Sequence, residues 1–276
     1  METPYSLEEA LSRIRQRYGE GVVRRGRDPV PAGVWPTSLP VLDHLLPGGG
    51  LPKGRLTVLA GEGQRENPQR TTGRRAILQT LTCSASQVTQ VAYVDFPATL
   101  DLGYLFDLGL NAENCLIARP PGGAIGPGLA MARTLLRAGV PWVGICFPAV
   151  LPPGSGWAHA LNALVEAAWS CRGVVCLAAP APLPAALAHA SSLTLTCTPT
   201  GWAKQHGYVT GLRLVVGVTK NKLGAPGAAA DTLVKFSRPH SVPDVVGVPT
   251  LLPTFHGQGY AVFADQVMRR VQDNTA

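Results

Sequence analysis

A glycine-bounded segment rich in arginine is the part of this sequence whose residue types and spacing suit phosphate binding. It begins at Gly61, at the end of an apolar run, and ends at Gly73. Its arginines, with the two that follow it, are Arg65, Arg70, Arg74 and Arg75. Glycine loops offer backbone N–H groups to phosphate, and guanidinium groups near a helix N-terminus bind the same oxygens. The segment predicts an anion site for nucleotide or nucleic acid; a solvated surface insertion is the alternative interpretation.

The same segment lacks the groups that ATP hydrolysis needs. A working phosphate-binding loop reads Gly-x-x-x-x-Gly-Lys-Ser/Thr, in which the lysine reaches the β- and γ-phosphates and the hydroxyl binds magnesium. Here residues 62–72 separate the two glycines, and Arg74 and Arg75 stand where the lysine and the hydroxyl belong. We therefore expect no metal site, no meaningful ATPase activity and no required cofactor. ATP held without turnover is the remaining option for this site.

The chain is basic, with a formal net charge of +7 and a pI near 9.3. Such surfaces attract nucleic-acid phosphates, acidic proteins or anionic membranes. Arg24, Arg25 and Arg27 follow the first predicted helix and are candidate nucleic-acid contacts. Lys220 and Lys222 alternate at the end of a predicted strand, so their side chains point the same way. They are candidates for contact with nucleotide, DNA or a partner, and ordinary surface lysines are the alternative.

Apolar runs alternate with helix-like segments through the middle of the chain. The predicted strands cover residues 55–60, 91–95, 114–118, 142–147 and 174–178. The predicted helices between them cover residues 75–84, 129–138 and 157–172. Near-continuous apolar strands separated by helices indicate an α/β fold with a mostly parallel sheet buried on both faces. Three later runs without intervening helices predict an antiparallel extension at residues 193–197, 212–219 and 232–236.

The two ends of the chain differ from this central pattern. Ser6 and Glu9 form a capping box that predicts a short amphipathic N-terminal helix. The predicted organisation is an N-terminal helix and linker, a core, and a Pro/Gly-rich tail with a terminal helix, at residues 1–36, 37–240 and 241–276. The first residues do not resemble a signal peptide, and no apolar run reaches the about 20 residues of a membrane span. We expect a cytoplasmic protein that associates with the nucleoid when it is bound to DNA.

Four stretches, in the same order along the chain, resemble the RecA recombinase family. Residues 7–19 are similar to the opening helix of that family, and residues 39–55 to its lead into the nucleotide-binding strand. Residues 91–110 look like its second strand and following helix, and the strongest match is Val218-Thr-Lys-Asn-Lys-Leu-Gly-Ala-Pro226. The resemblance implies a RecA-like core. It also implies that the two lysines of the last match reach across a subunit interface toward a neighbour's nucleotide, as in a homo-oligomer.

The chain departs from the family at the positions that the resemblance makes catalytic. Pro97 stands about where the family has a glutamate that orients the attacking water, and residues 143–147 are apolar where a metal-orienting aspartate is expected. The stretches 151–157 and 180–186 look like shortened DNA-binding loops, and His189 replaces an aromatic residue that links nucleotide state to neighbouring subunits. We also expect the large C-terminal domain of housekeeping recombinases to be absent. The resemblance therefore predicts a RecA-like pseudo-ATPase.

Three function classes remain open from the sequence. The first is an inactive accessory in DNA repair, recombination or SOS-induced translesion synthesis, similar to the ImuA subunit of bacterial mutasomes. It would bind single-stranded DNA, a RecA-type recombinase or a translesion polymerase. The second is a regulator of a RecA-type filament that contacts protein only. The third is a weak nucleotide-binding enzyme that would use Asp95, Asp101 or His159.

Overall fold

The computed structural model describes residues 6–18, 33–46, 48–61, 71–152 and 156–235 of the chain. By its internal contacts the chain divides into two compact units, Met1–Arg238 and Pro239–Ala276. The second unit, with the predicted terminal helix at residues 260–272, lies outside the described residues. The predicted boundaries at residues 36 and 240 remain predictions.

The described residues form an α/β fold around one large sheet. The strands are β1 (Val34–Trp35), β2 (Leu51–Pro52), β3 (Arg55–Gly61), β4 (Val91–Asp95), β5 (Cys115–Ala118), β6 (Trp142–Cys146), β7 (Val174–Pro180), β8 (Leu193–Gln205), β9 (Tyr208–Asn221) and β10 (Ala229–Lys235). The helices are α1 (Leu7–Tyr18), α2 (Pro40–Leu45), α3 (Arg74–Ser86), α4 (Leu102–Asp107), α5 (Ile125–Arg137), α6 (Ala158–Cys171) and α7 (Ala185–Ala190). The large sheet has the order β10-β9-β8-β3-β7-β6-β4-β5. Strands β3 to β8 pair in parallel, whereas β8-β9 and β9-β10 pair antiparallel. The predicted fold class is confirmed.

The two faces of the sheet pack against different helices. Alternate residues of β3 separate into two cores, with Leu59 on the side of α3 and Val58 on the side of α5 and α6. Every residue of β4, β6 and β7 is buried, as parallel strands covered on both faces must be. The carboxyl ends of β3, β4, β6 and β7 therefore meet along one edge, and their amino ends meet along the other.

The N-terminal helix is confirmed, with its predicted capping box. The backbone N–H of Ser6 donates to Glu9 Oε2 at 3.0 Å, and the N–H of Glu9 donates to Ser6 Oγ at 3.2 Å. These two bonds satisfy donors that the first turn of a helix leaves without an intrahelical partner. None of the helices in the described residues is long and apolar enough to cross a membrane.

Two elements differ from the sequence prediction. Strands β8 and β9 are much longer than predicted and continue past the end of β3 as a hairpin, which turns at His206 and Gly207 with φ of 49° and 84°. Two successive residues with positive φ are typical of the type I′ turn, whose twist matches that of the paired strands. In the segment predicted as a shortened loop at residues 180–186, Pro180 ends β7, residues 181–184 form a short connection, and residues 185–186 begin the short helix α7.

Candidate functional site

The glycine-bounded segment joins the carboxyl end of β3 to the N-terminus of α3. Gly61 is the last residue of β3, and Gly73 caps α3 in the left-handed conformation, with φ of 76°. A Cβ on Gly73 would lie 3.0 Å from Leu214 Cδ2, so glycine is required here both by the backbone and by the packing. Arg65 and Arg70 lie outside the described residues, as do Arg24, Arg25 and Arg27, and their proposed role in nucleic-acid binding remains a prediction.

The Arg74 side chain folds back over Gly61. It is 3% exposed, and its Nη1 donates to Thr72 Oγ1 at 3.0 Å. A Cβ added to Gly61 would lie 2.6 Å from that Thr72 oxygen and 2.7 Å from Arg74 Nη1. Burial, and then the neighbouring Arg75 charge, lower the pKa of the Arg74 guanidinium to about 10, so it remains a cation at neutral pH. The space next to Gly61, where a phosphate-binding loop holds its anion, therefore contains the guanidinium of Arg74. We call this space the glycine cradle.

Arg75 extends toward the loop after β4. Its Nη1 donates to Thr99 Oγ1 at 3.4 Å, and the side chain is half-buried. In the loop motif this position supplies a hydroxyl to magnesium. A guanidinium here adds a second positive charge beside Arg74 and offers no metal ligand.

Asp95, at the carboxyl end of β4, is held by two partners within the protein. The carboxylate is 1% exposed, its Oδ2 accepts from the N–H of Leu100 at 2.9 Å, and the same oxygen lies 3.6 Å from Nε of Arg119. Pro97 follows in the turn and is half-buried, without a side-chain group that could activate water. Asp95 thus acts as a structural anchor of this loop.

Cys146 ends β6, within the stretch where the resemblance places a metal-orienting aspartate. The residue is 2% exposed, and its thiol donates to the carbonyl of Phe147 at 3.8 Å, near the hydroxyl of Tyr93. Burial is the largest cause raising the pKa of both groups, so both stay neutral. In the part of the chain that the structure describes, no group of three or more His, Cys, Asp or Glu side chains is arranged to hold a metal ion.

Lys220 and Lys222 lie away from this site. Lys220 pairs with Thr194, which pairs with Val58, whereas Gly61 is three residues farther along β3. At the rise of an extended strand, this places the lysines about 10 Å toward the opposite edge of the sheet. The structure therefore separates these two predicted site residues from Gly61, Gly73, Arg74 and Arg75.

The two lysines instead contact the C-terminal end of α7. Lys220 Nζ donates to the carbonyl of Ala188, and Lys222 Nζ donates to the carbonyl of His189 at 2.8 Å. Burial and the Lys222 charge lower the pKa of Lys220. Cations are stabilised at a helix C-terminus, where carbonyl groups lack intrahelical donors.

Sequence reasoning missed three contributors to the site. Thr72, Tyr93 and Arg119 were not selected, although Arg119 directly follows β5 and so had to lie at the carboxyl edge of a parallel sheet. Asp101, a candidate of the third function class, caps α4 through an Oδ1 that accepts from Tyr104 N at 3.2 Å. Its carboxylate has a local structural role.

A model of the RecA N-terminal domain matches residues 5–146, just over half of the chain. The chain belongs to the RecA family. Protein RecA of Gluconobacter oxydans (strain 621H) is 34% identical over 141 residues, which span 50% of this chain and 39% of that protein. Protein RecA of Desulfotalea psychrophila (strain LSv54 / DSM 12343) is 32% identical over 137 residues, 49% of this chain and 36% of that protein. The match therefore spans less than half the length of these curated relatives.

The fold also resembles a solved recombinase structure. The crystal structure of the RadB recombinase superposes with a TM-score of 0.54 at 16% sequence identity. The match covers 71% of this chain and 94% of that one. At this identity the similarity concerns the fold, which is RecA-like. The described residues do not match the usual ligands of magnesium-bound ATP, because Arg74 packs against Gly61 and because Cys146 and Pro97 stand where the resemblance expects carboxylates.

Proposed function

We propose that this RecA-family protein is a pseudo-ATPase that serves as an accessory in DNA repair or recombination. In this role it binds DNA, a RecA-type recombinase or a translesion polymerase, and it requires no cofactor. The observation that carries the proposal is the buried Arg74 guanidinium over Gly61, 3% exposed and bonded to Thr72. A nucleotide phosphate entering this cradle would have to displace a packed side chain.

The loss of ATP hydrolysis follows from the charges around the cradle. Phosphoryl transfer relies on a metal ion and on cationic groups placed around the transferred phosphate. Here Arg74 and Arg75 bring cations, but Cys146 is a neutral thiol and the Asp95 carboxylate is held by Arg119. Without a metal ligand and a group to orient water, the proposed role is one of binding. The same argument disfavours an ATP molecule held without turnover.

The DNA-binding part of the proposal rests on charge and on the relatives. The chain carries a net +7, and the curated proteins it matches are RecA proteins. Basic surfaces bind single-stranded DNA by releasing its counterions, which makes affinity fall as salt rises. A role in the SOS response beside a translesion polymerase, as the likeness to ImuA suggests, is the more specific form of this proposal.

The test is fluorescence anisotropy of a labelled single-stranded oligonucleotide, titrated with the protein across a salt series with and without ATP and magnesium. We expect binding that weakens steeply with salt and is the same in both nucleotide conditions. Binding that requires ATP would contradict the pseudo-ATPase assignment. Absence of binding at low salt would contradict the DNA role and favour a filament regulator that contacts protein only.

A further inference from the structure

The amino edge of the sheet, opposite the arginine-filled cradle, carries a series of cations. Arg55 is the first residue of β3. Arg137 is the last residue of α5, before β6, and Arg172 lies between α6 and β7. Strand β9 runs antiparallel to β8, so Lys220 and Lys222, at the C-terminal end of β9, lie toward the same edge of the sheet. We call this set the basic row. Its members are Lys53, Arg55, Arg137, Arg172, Lys220 and Lys222.

The topology fixes the extent of the basic row. In the sheet order, β9, β8, β3, β7 and β6 are consecutive neighbours. Adjacent strands lie about 4.8 Å apart, so the row extends over about 19 Å. Arg137, Arg172 and Lys222 are exposed, and the other three members are half-buried. A linear array of positive charge of this length suits an extended polyanion.

An aromatic ring lies within the basic row. Trp169, in the last turn of α6, is 58% exposed, and the guanidinium carbon of Arg55 lies 4.3 Å from the centroid of its ring. The N–H of Gly54 donates to the carbonyl of Gly173 at 2.8 Å, which ties the start of β3 to the end of α6. Arginine stacked on an aromatic face keeps its N–H donors in the guanidinium plane, where they can bind phosphate. Trp169 therefore combines an exposed stacking surface with an adjacent phosphate donor.

The acidic residues of the described chain leave most of this edge positive. Glu166 lies on α6 one turn before Trp169 and is exposed. Asp107 and Glu113 belong to the segment that leads into β5, at the far end of the sheet from β9. The elements α5, β6, α6, β7, β3 and β9, which carry or adjoin the basic row, contain one acidic residue, Glu166.

We propose that the basic row and Trp169 bind single-stranded nucleic acid, with phosphates on the cations and a base stacked on the exposed part of the Trp169 ring. The inference rests on the DNA-binding part of the proposed function and assigns it to the amino edge of the sheet. Stacking requires an unpaired base, which selects a single strand over a duplex. An acidic peptide would use the charges but would not need the ring.

The experiment compares four variants with the unsubstituted full-length protein by anisotropy of labelled oligothymidylate across a salt series. Arg137→Gln/Arg172→Gln removes two exposed charges of the basic row, and Trp169→Ala removes the ring. The matched control, Lys204→Gln/Arg213→Gln, removes two exposed charges from the β8-β9 hairpin. Trp169→Phe tests whether another ring restores binding. Circular dichroism melting confirms that each variant is folded.

We expect the basic-row double variant to lower the slope of log affinity against log salt by about 1.4, or about 0.7 for each lost phosphate contact. Trp169→Ala should weaken binding about tenfold, Trp169→Phe should recover most of this loss, and the hairpin control should match the wild type. Equal DNA binding by all variants would overturn the inference while leaving the proposed function intact. Absence of wild-type binding would overturn both. Displacement of the oligonucleotide by polyglutamate as readily as by unlabelled oligothymidylate would show a site for acidic protein and overturn the inference alone.

Discussion

The charged side chains at the two edges of the parallel sheet differ in burial: the carboxyl edge has buried ones that are bonded within the chain, and the amino edge has exposed ones. At the carboxyl edge Arg74 and Asp95 are 3% and 1% exposed, and each bonds to groups of the same chain. At the amino edge Arg137 and Arg172 are exposed beside a half-exposed Trp169. Ligands of open α/β sheets ordinarily bind at the carboxyl edge. Among the described residues, Arg74 and Asp95 at the carboxyl edge bond within the chain, whereas exposed cations and an exposed aromatic ring lie at the amino edge.

The difference lies in how the charges of the two edges are stabilised. Desolvation makes a buried charge dependent on its partners, and an exposed charge is stabilised by water. Removing a charged group should therefore lower the free energy of unfolding strongly at the carboxyl edge and little at the amino edge.

The largest effect is expected from Asp95→Ala. The substitution leaves the N–H of Leu100 without its acceptor and Arg119 without its carboxylate. We expect the free energy of unfolding to fall by about 2–3 kcal/mol, because Arg119 is partly exposed and water compensates some of the loss. Urea denaturation of Glu166→Ala, which removes an exposed carboxylate near the amino edge, should show a change within about 0.5 kcal/mol. Similar small effects for both variants would contradict a tightly packed carboxyl edge.

A smaller effect is expected from Gly61→Ala. The new methyl group would meet Thr72 Oγ1 at 2.6 Å and Arg74 Nη1 at 2.7 Å, so the packed guanidinium has to move. We expect a loss of about 2 kcal/mol in the free energy of unfolding. Gly126→Ala is the control, because nothing lies within 4 Å of its added Cβ in α5. It should be neutral or stabilising by up to about 1 kcal/mol, and an equally mild Gly61→Ala would show an open cradle.

Cysteine alkylation compares the two edges without a mutation. Cys146 at the carboxyl edge is 2% exposed, and burial raises the pKa of its thiol, so little reactive thiolate forms at pH 8. Cys171, at the end of α6 near the amino edge, is exposed. Mass spectrometry after mild iodoacetamide treatment should find Cys171 modified and Cys146 intact until urea is added. Rapid modification of Cys146, slowed by ATP, would indicate an accessible nucleotide pocket.

The sequence predicts the buried elements best, because burial on both faces leaves a strong apolar pattern. The limits of β4 are as predicted, and β6 differs by one residue. The hairpin beyond β3 was missed because its strands are paired through the backbone while most of their side chains outside the sheet are polar or exposed. Helix α7 was missed because Pro182 and Pro184 suggest a loop and the helix has only six residues.

The candidate site was predicted by residue type and not by geometry. The spacing after Gly61 places an arginine at the position of the phosphate-binding lysine, which is visible in the sequence. That Arg74 turns inward to Thr72 depends on the space over Gly61, which arises only when β3 and α3 pack together. Lys220 and Lys222 were grouped with the nucleotide site by resemblance, but within one chain the strand register places them at the opposite edge.

Equilibrium binding of a fluorescent ATP analogue with magnesium tests the filled cradle most directly, and ATP turnover is measured on the same samples. We expect no saturable binding at millimolar nucleotide, no shift in the melting temperature and no turnover above the buffer rate. Saturable micromolar binding that disappears in Gly61→Val, or any turnover above background, would contradict the claim that Arg74 occupies the nucleotide site.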